Sequence, residues 1–196
     1  MVDHQDSFVH TLSGYFQATG ARVQTVRPRH VRTALERLRP DLVVLSPGPG
    51  RPSDFALSAT LELCLERRVP VFGVCLGLQG IVEYFGGSLA TLAYPMHGKS
   101  SVLQQAQGTL FAGITLPAGI GRYHSLVAGR VPDCLRVTAR TTDGAVMAIE
   151  HDTLPVSAVQ FHPESILSLG GDAGAKIIRN VMRNVTMCRA AAEPAA

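Results

Sequence analysis

Val71-Phe-Gly-Val-Cys-Leu-Gly-Leu-Gln-Gly80 is the stretch that decides the fold. The residues after Pro70 are apolar enough for a short buried strand, and a helical pattern begins after Cys75. Gly73 and Gly77 flank the cysteine as G-x-C-x-G, the thiol counterpart of G-x-S-x-G. Where a strand turns sharply into a helix, the residue at the turn sits in a strained backbone conformation and tolerates only small neighbours. A helix start also favours a thiolate and offers an unpaired N–H to a developing oxyanion. These ten residues fit a buried structural cysteine between packing glycines equally well, since free cysteine is among the most buried residue types.

Working outward, strands and helices alternate through the first ninety residues. Met1-Val2 reads as the end of a strand, and Asp6 or Ser7 can cap a helix with Phe8, Leu12, Tyr15 and Phe16 on one face. Gly20 ends it. Val23 to Val26 reads as a strand, Val31 to Leu38 as a helix, and Asp41-Leu-Val-Val-Leu45 as a continuously apolar strand of the kind covered on both faces. Leu57, Leu61 and Leu65 mark the helix that precedes the strand leading to Cys75. The alternation predicts an α/β fold, a mostly parallel central sheet with right-handed crossovers and helices on both faces.

From Ser88 the pattern breaks into short β-like pieces, Ser101 to Gln105, Leu135 to Arg140, Val146 to Ile149 and Val156 to Val159, expected to add a small antiparallel flank. A last helix is expected from about Gly174 to Asn184. Residues 1–186 are read as one domain, and 187–196, Ala-rich and without an apolar period, as a frayed tail.

The chain has 196 residues and a net charge of +3, and its basic residues are scattered rather than gathered into a stripe with aromatics. Nucleic-acid binding is therefore not expected. Cys64, Cys75, Cys134 and Cys188 form no C-x-x-C pair, which argues against a zinc site and a disulfide framework and for a reduced, cytoplasmic setting. No secretory leader and no run of eighteen apolar residues is present, so a membrane association is not expected either.

Two further segments fall at carboxyl ends of strands, where open α/β sheets bind ligands. Ser46-Pro-Gly-Pro-Gly-Arg-Pro52 follows the third strand and reads either as a binding loop or as a rigid connector; without Gly-Lys-Ser/Thr after its glycines it is not a phosphate loop. Gln160-Phe-His-Pro-Glu164 follows Val156 to Val159, on the edge where Cys75 emerges. A cysteine nucleophile needs a base, and the base needs an orienting group. Residues two apart in an extended segment point the same way, so Glu164 can sit beside the His162 ring. A surface loop with a chance His and Glu is the plain alternative. His4, His10, His30 and His151 are assigned structural or surface roles, while His97 and His124, expected in loops, stay open as secondary candidates.

Together, Cys-Leu-Gly-Leu-Gln at 75 to 79, Phe-His-Pro-Glu at 161 to 164, Ser-Pro-Gly-Pro-Gly at 46 to 50, His-Gly-Lys at 97 to 99 and Tyr-His-Ser-Leu at 123 to 126 resemble the class I glutamine amidotransferases over almost the whole chain. The loop, the His-Gly-Lys segment and the opening Asp3-His-Gln-Asp-Ser-Phe8 look like the glutaminase components of chorismate-using synthases, anthranilate synthase first and aminodeoxychorismate synthase second. The resemblance implies a flavodoxin-like fold in which Cys75 attacks the side-chain amide of L-glutamine, His162 shuttles the proton and Glu164 orients His162. It implies that the Gly48 and Leu76 N–H groups line an oxyanion hole and that Pro49, Gly50, Gln79, Ser125 and Leu126 complete the glutamine site. It implies no metal or other cofactor in this domain, any Mg²⁺ belonging to the synthase partner. A non-catalytic regulatory module and a hydrolase of other γ-glutamyl compounds are the competing expectations.

Leu78 stands where stand-alone members of the subgroup often carry His, which looks more like versions fused behind a synthase domain. The family's first strand should begin several residues before Met1, so an excised domain, a truncation or a misassigned start is expected.

Overall fold

The computed structural model describes residues 1–192. Its helices are α1 (Val9–Gln17), α2 (Val31–Leu38), α3 (Leu57–Glu66), α4 (Leu76–Tyr84) and α5 (Ala173–Ala192). Its strands are β1 (Val43–Leu45), β2 (Val71–Val74), β3 (Ser88–Ala106), β4 (Ala118–Arg130), β5 (Leu135–Thr141), β6 (Val146–His151) and β7 (Val156–Val159). They form one sheet in the order β1-β2-β7-β6-β5-β3-β4. β1, β2 and β7 run parallel, and the remaining neighbours pair antiparallel. Val2 extends the parallel part by single bridges to Leu45 and Val26.

Side-chain alternation explains why both sheet faces are covered. Val43, Leu45 and Val71 pack with Val31, Leu35, Leu57, Leu61 and Ile81, so α2, α3 and α4 cover one face. Val44, Phe72 and Val74 turn the other way and pack with Leu12, Phe16, Ile177, Ile178 and Val181, placing α1 and α5 opposite. A strand buried on both faces has no polar positions to alternate, which is why β1 and β2 are apolar throughout.

The antiparallel part is larger than expected. The region read as short pieces is dominated by a long hairpin of β3 and β4, and β4 has no counterpart among the expected elements. His97 and His124, expected in loops, lie in these strands and are paired with Tyr123 and Met96 respectively. Most of β3 is exposed, so it lacks the buried-face alternation by which a strand is read, and its register breaks between Thr91 and Met96 and between His97 and Lys99. The strand expected over Val23 to Val26 reduces to the bridge at Val26, and α1 begins at Val9 with Phe8 ahead of it.

The last helix also runs further than Asn184, through Ala192. Its final turns need no apolar stripe: they are rich in alanine, the best helix former, and Arg189 pairs with Asp41 across to the body of the fold. Residues 193–196 of the expected frayed tail lie outside the described residues.

Candidate active site

Three neighbouring parallel strands end at one edge and deliver the candidate residues. β1 leads into Ser46–Gly50, β2 into Cys75, and β7 into Gln160–Glu164, with Val74 paired to Val159 and the Cys75 N–H donating to the Val159 carbonyl at 2.8 Å. Cys75 has φ 54° and ψ −100°, a left-handed-side conformation that costs a β-carbon-bearing residue roughly 1–3 kcal/mol. The helix α4 starts at the next residue, so Leu76 N–H belongs to the first turn and has no intrahelical acceptor.

The flanking glycines are required by contact distances rather than by flexibility. A β-carbon on Gly73 would lie 2.7 Å from the Gly77 carbonyl carbon, and one on Gly77 would lie 2.6 Å from the Leu45 oxygen. The helix therefore seats directly on β1 and β2. Consequently Cys75 is held at the sheet edge, 5% exposed.

Beside it, His162 Nδ1–H donates to Glu164 Oε1 at 2.8 Å, with both side chains buried. Burial alone would lower the His162 pKa; Cys75 and Glu164 outweigh it and push the imidazolium up, to about 10. Among the described residues His162 Nε2 has no hydrogen-bond partner of normal geometry, yet Cys75 lies close enough to act on its charge. Gln160, unremarked as a site residue in the sequence, donates from Nε2 to Cys75 Sγ at 3.6 Å. A thiol at a helix start, a buried imidazole and a carboxylate that fixes its tautomer are the parts needed for nucleophilic acyl transfer.

The other expected site residues separate into two groups. Gln79 is buried on α4 and donates to the Leu126 carbonyl at 3.1 Å; that same oxygen accepts from His124 Nδ1 at 3.0 Å. Ser125 Oγ lies 3.1 Å from His97 Nε2. These contacts bring β3, β4 and α4 together around one end of the site. On the other side, Gly48 is half-buried against Leu76, whose Cδ2 would be 2.5 Å from a β-carbon there, while Pro49 and Gly50 lie exposed at the rim. Gly50 has φ +71°, which turns the loop. Among the described residues no group of three or more His, Cys, Asp or Glu converges as a metal site requires.

The sequence model of the family Glutamine amidotransferase class-I matches residues 1–184. The chain belongs to the class I glutamine amidotransferases. It is 59% identical over 184 residues to an anthranilate synthase of Azospirillum brasilense, an alignment covering 93% of this chain and 25% of that protein. It is 38% identical to the aminodeoxychorismate/anthranilate synthase component 2 of Bacillus subtilis, covering 92% and 93%. A solved structure from Thermoplasma acidophilum, described as a GMP synthase component, superposes with a TM-score of 0.86 at 22% identity, over 97% of this chain and 94% of that one. That likeness is one of fold.

In this amidotransferase the strand β4 does more than close the sheet. Gly121 bridges to His162, its N–H donates to Ser168 Oγ at 2.9 Å, and Ser168 Oγ–H donates to the His162 carbonyl at 2.6 Å. The rings of Phe8 and Tyr123 each stand 5.0 Å from the His162 ring. Further along β4, the buried Arg122 donates from Nε to His124 Nε2 at 3.2 Å and pairs with Asp143 at 3.0 Å. Burial first, then the Arg122 charge, lower the His124 pKa to about 3, so His124 is a neutral support for the Leu126 carbonyl and not a base. Of these, Tyr123 is visible in the sequence only as part of a motif, and Phe8 only as a helix-face residue and the last residue of the opening motif.

Proposed function

We propose that this chain is the glutaminase of an anthranilate synthase. Cys75 attacks the side-chain amide carbon of L-glutamine; the Gly48 and Leu76 N–H groups take the oxyanion; His162 passes its proton to the departing ammonia; water then hydrolyses the γ-glutamyl thioester with His162 as base. Gln79, Ser125 and Leu126, with Pro49 and Gly50 at the rim, hold the glutamine. Ammonia passes to a chorismate-using synthase domain or subunit, in the cytoplasm. The proposed chemistry uses protein groups alone, and any Mg²⁺ acts in the synthase partner.

The observation that carries this reading is the strained Cys75 beside a His162–Glu164 pair at 2.8 Å, just past the end of the adjoining strand. It weighs against an idle regulatory module, which has no need of a strained cysteine. The names of the Azospirillum and Bacillus relatives support the synthase assignment, and the second of them keeps aminodeoxychorismate as the alternative product. Cys75→Ser should abolish glutamine-dependent formation of the aromatic amine from chorismate and leave ammonia-dependent formation intact. Retained glutamine use would sink the proposal, and identification of the amine decides between the two synthases.

A further inference from the structure

His4 is a histidine that the reaction does not call for, yet it is fully buried directly behind the loop that carries Gly48. The N-terminal segment brings it there through parallel pairing with β1: the Ser46 N–H donates to the Val2 carbonyl at 3.1 Å, and the chain then runs past the end of the strand. His4 binds the loop at two points, and a third bond within the loop continues the chain. Its backbone N–H donates to Ser46 Oγ at 2.9 Å, its Nδ1–H donates to the Ser46 carbonyl at 3.0 Å, and Ser46 Oγ–H in turn donates to the Pro47 carbonyl at 2.7 Å. The carbonyls of the Ser46–Pro47 and Pro47–Gly48 peptides are thus both held. The second of these peptides carries the Gly48 N–H.

Packing closes the arrangement. A β-carbon on Gly48 would lie 2.7 Å from His4 Cβ, 2.8 Å from the His4 carbonyl and 2.5 Å from Leu76 Cδ2, so Gly48 is sandwiched between His4 and the residue that supplies the second oxyanion donor. The imidazole stands edge-on to Phe55, ring centres 5.4 Å apart, which limits its own movement. Its pairing with a carbonyl fixes the proton on Nδ1 and leaves Nε2 buried without a partner among the described residues. Nδ1 is therefore the ring nitrogen through which His4 acts on the loop.

We propose that His4 is a positioning residue of the oxyanion hole, holding the Ser46–Gly48 backbone so that the Gly48 N–H stays aimed at the carbonyl oxygen of bound glutamine. The proposal rests on the glutaminase reading above. An oxyanion donor acts on the transition state more than on bound substrate, so a loosened donor lowers kcat rather than raising KM. Loss of a donor outright typically reduces kcat about 10²–10³-fold; a misaimed one is expected to reduce it roughly 10- to 100-fold.

The test is glutamate release from glutamine by the full-length protein with its synthase part, for wild type, His4→Ala, His4→Asn and Ser46→Ala, with Tm measured for each. Asparagine places an amide N–H about where Nδ1–H stands, so His4→Asn should keep most of the activity, whereas His4→Ala should lose about 10- to 100-fold in kcat with KM within about threefold. Ser46→Ala should fall between them, and the His4→Ala, Ser46→Ala double variant should be no worse than about the single His4→Ala, since both act on one backbone segment. Should His4→Ala fail to fold, His4→Asn and Ser46→Ala still decide. Wild-type kcat in Ser46→Ala, His4→Asn as impaired as His4→Ala, or a rise in KM at constant kcat would each overturn the proposal. Failure of the wild-type protein to release glutamate would instead overturn the glutaminase reading.

Discussion

Gly73→Ala tests whether contact between two glycines sets the position of Cys75. An added β-carbon meets the Gly77 carbonyl carbon at 2.7 Å, the Gly77 oxygen at 2.9 Å and Ile81 Cδ1 at 2.9 Å. Ile81 can rotate, but Gly77 is backbone in the first turn of α4. Gly73 cannot retreat, because it is paired with Leu45 on one side and Ala158 on the other. The helix start must therefore move, by about 0.7 Å to reach the 3.4 Å of ordinary contact. Overpacking of this kind costs about 1–3 kcal/mol, roughly 2–12 °C in Tm for a chain of this size. The same movement carries Cys75 and Leu76, and a displacement approaching 1 Å is expected to lower kcat about 100-fold. Thermal unfolding and glutamate release measured together form the assay. Gly14→Ala is the control: Gly14 is exposed in α1 with nothing within 4 Å of an added β-carbon, and the change should stabilise by about 0.4–1 kcal/mol with kcat unchanged. A Gly73→Ala protein with wild-type kcat and Tm would refute the idea that the paired glycines mount the cysteine.

Glu164→Gln should preserve the fold and lower kcat by about 10³–10⁴-fold, because the amide no longer stabilises the His162 imidazolium or fixes its tautomer; in a pH titration of His162 followed by NMR the pKa should drop from its raised value, and an unchanged value would be evidence against the pairing. Stability should also fall in acid. The folded-state pKa values of His4 and His124 are lowered, to about 4 and about 3, so below the unfolded value of about 6.5 the unfolded chain binds protons that the folded chain does not. Stability is fully present above pH of about 6.5 and is lost as pH falls towards those folded values, by about 2 kcal/mol from each histidine at a pH of about 5. Tm measured across that range should show this acid limb, and His124→Gln should flatten it; an identical limb in the variant would remove His124 from the account.

The parts of the fold that were legible in the sequence are those where one physical demand dominates. β1 and β2 are buried on both faces, so Val43–Leu45 and Val71–Val74 could be nothing but apolar, and α2 and α3 carry their stripe against that layer. The cysteine turn was legible because close backbone approach excludes every residue but glycine on either side of it. What was not legible depends on contacts between distant segments. The β3–β4 hairpin is exposed along most of β3, so no face of it had to be apolar. The service of His124 to the Leu126 carbonyl, of His97 to Ser125 and of His4 to Ser46 is fixed by pairings 2 to 42 residues apart and leaves no periodic trace. A histidine's partner is visible only once the strands are placed.

The strain at Cys75 persists because its surroundings over-determine it. A residue free to relax would leave φ 54° for the ordinary helical or extended region and gain roughly 1–3 kcal/mol. Here the Cys75 N–H is committed to Val159, and its carbonyl accepts from the Gln79 N–H at 3.1 Å, so both of its peptide groups are taken by elements that cannot shift independently. β2 lies between β1 and β7 in the sheet, and α4 is seated on it through Gly73 and Gly77. Relaxing one residue would therefore break a strand-end hydrogen bond, each worth about 0.5–1.5 kcal/mol, and separate a packed helix from the sheet. The sum exceeds the strain, and the sulfur stays where His162 can reach it.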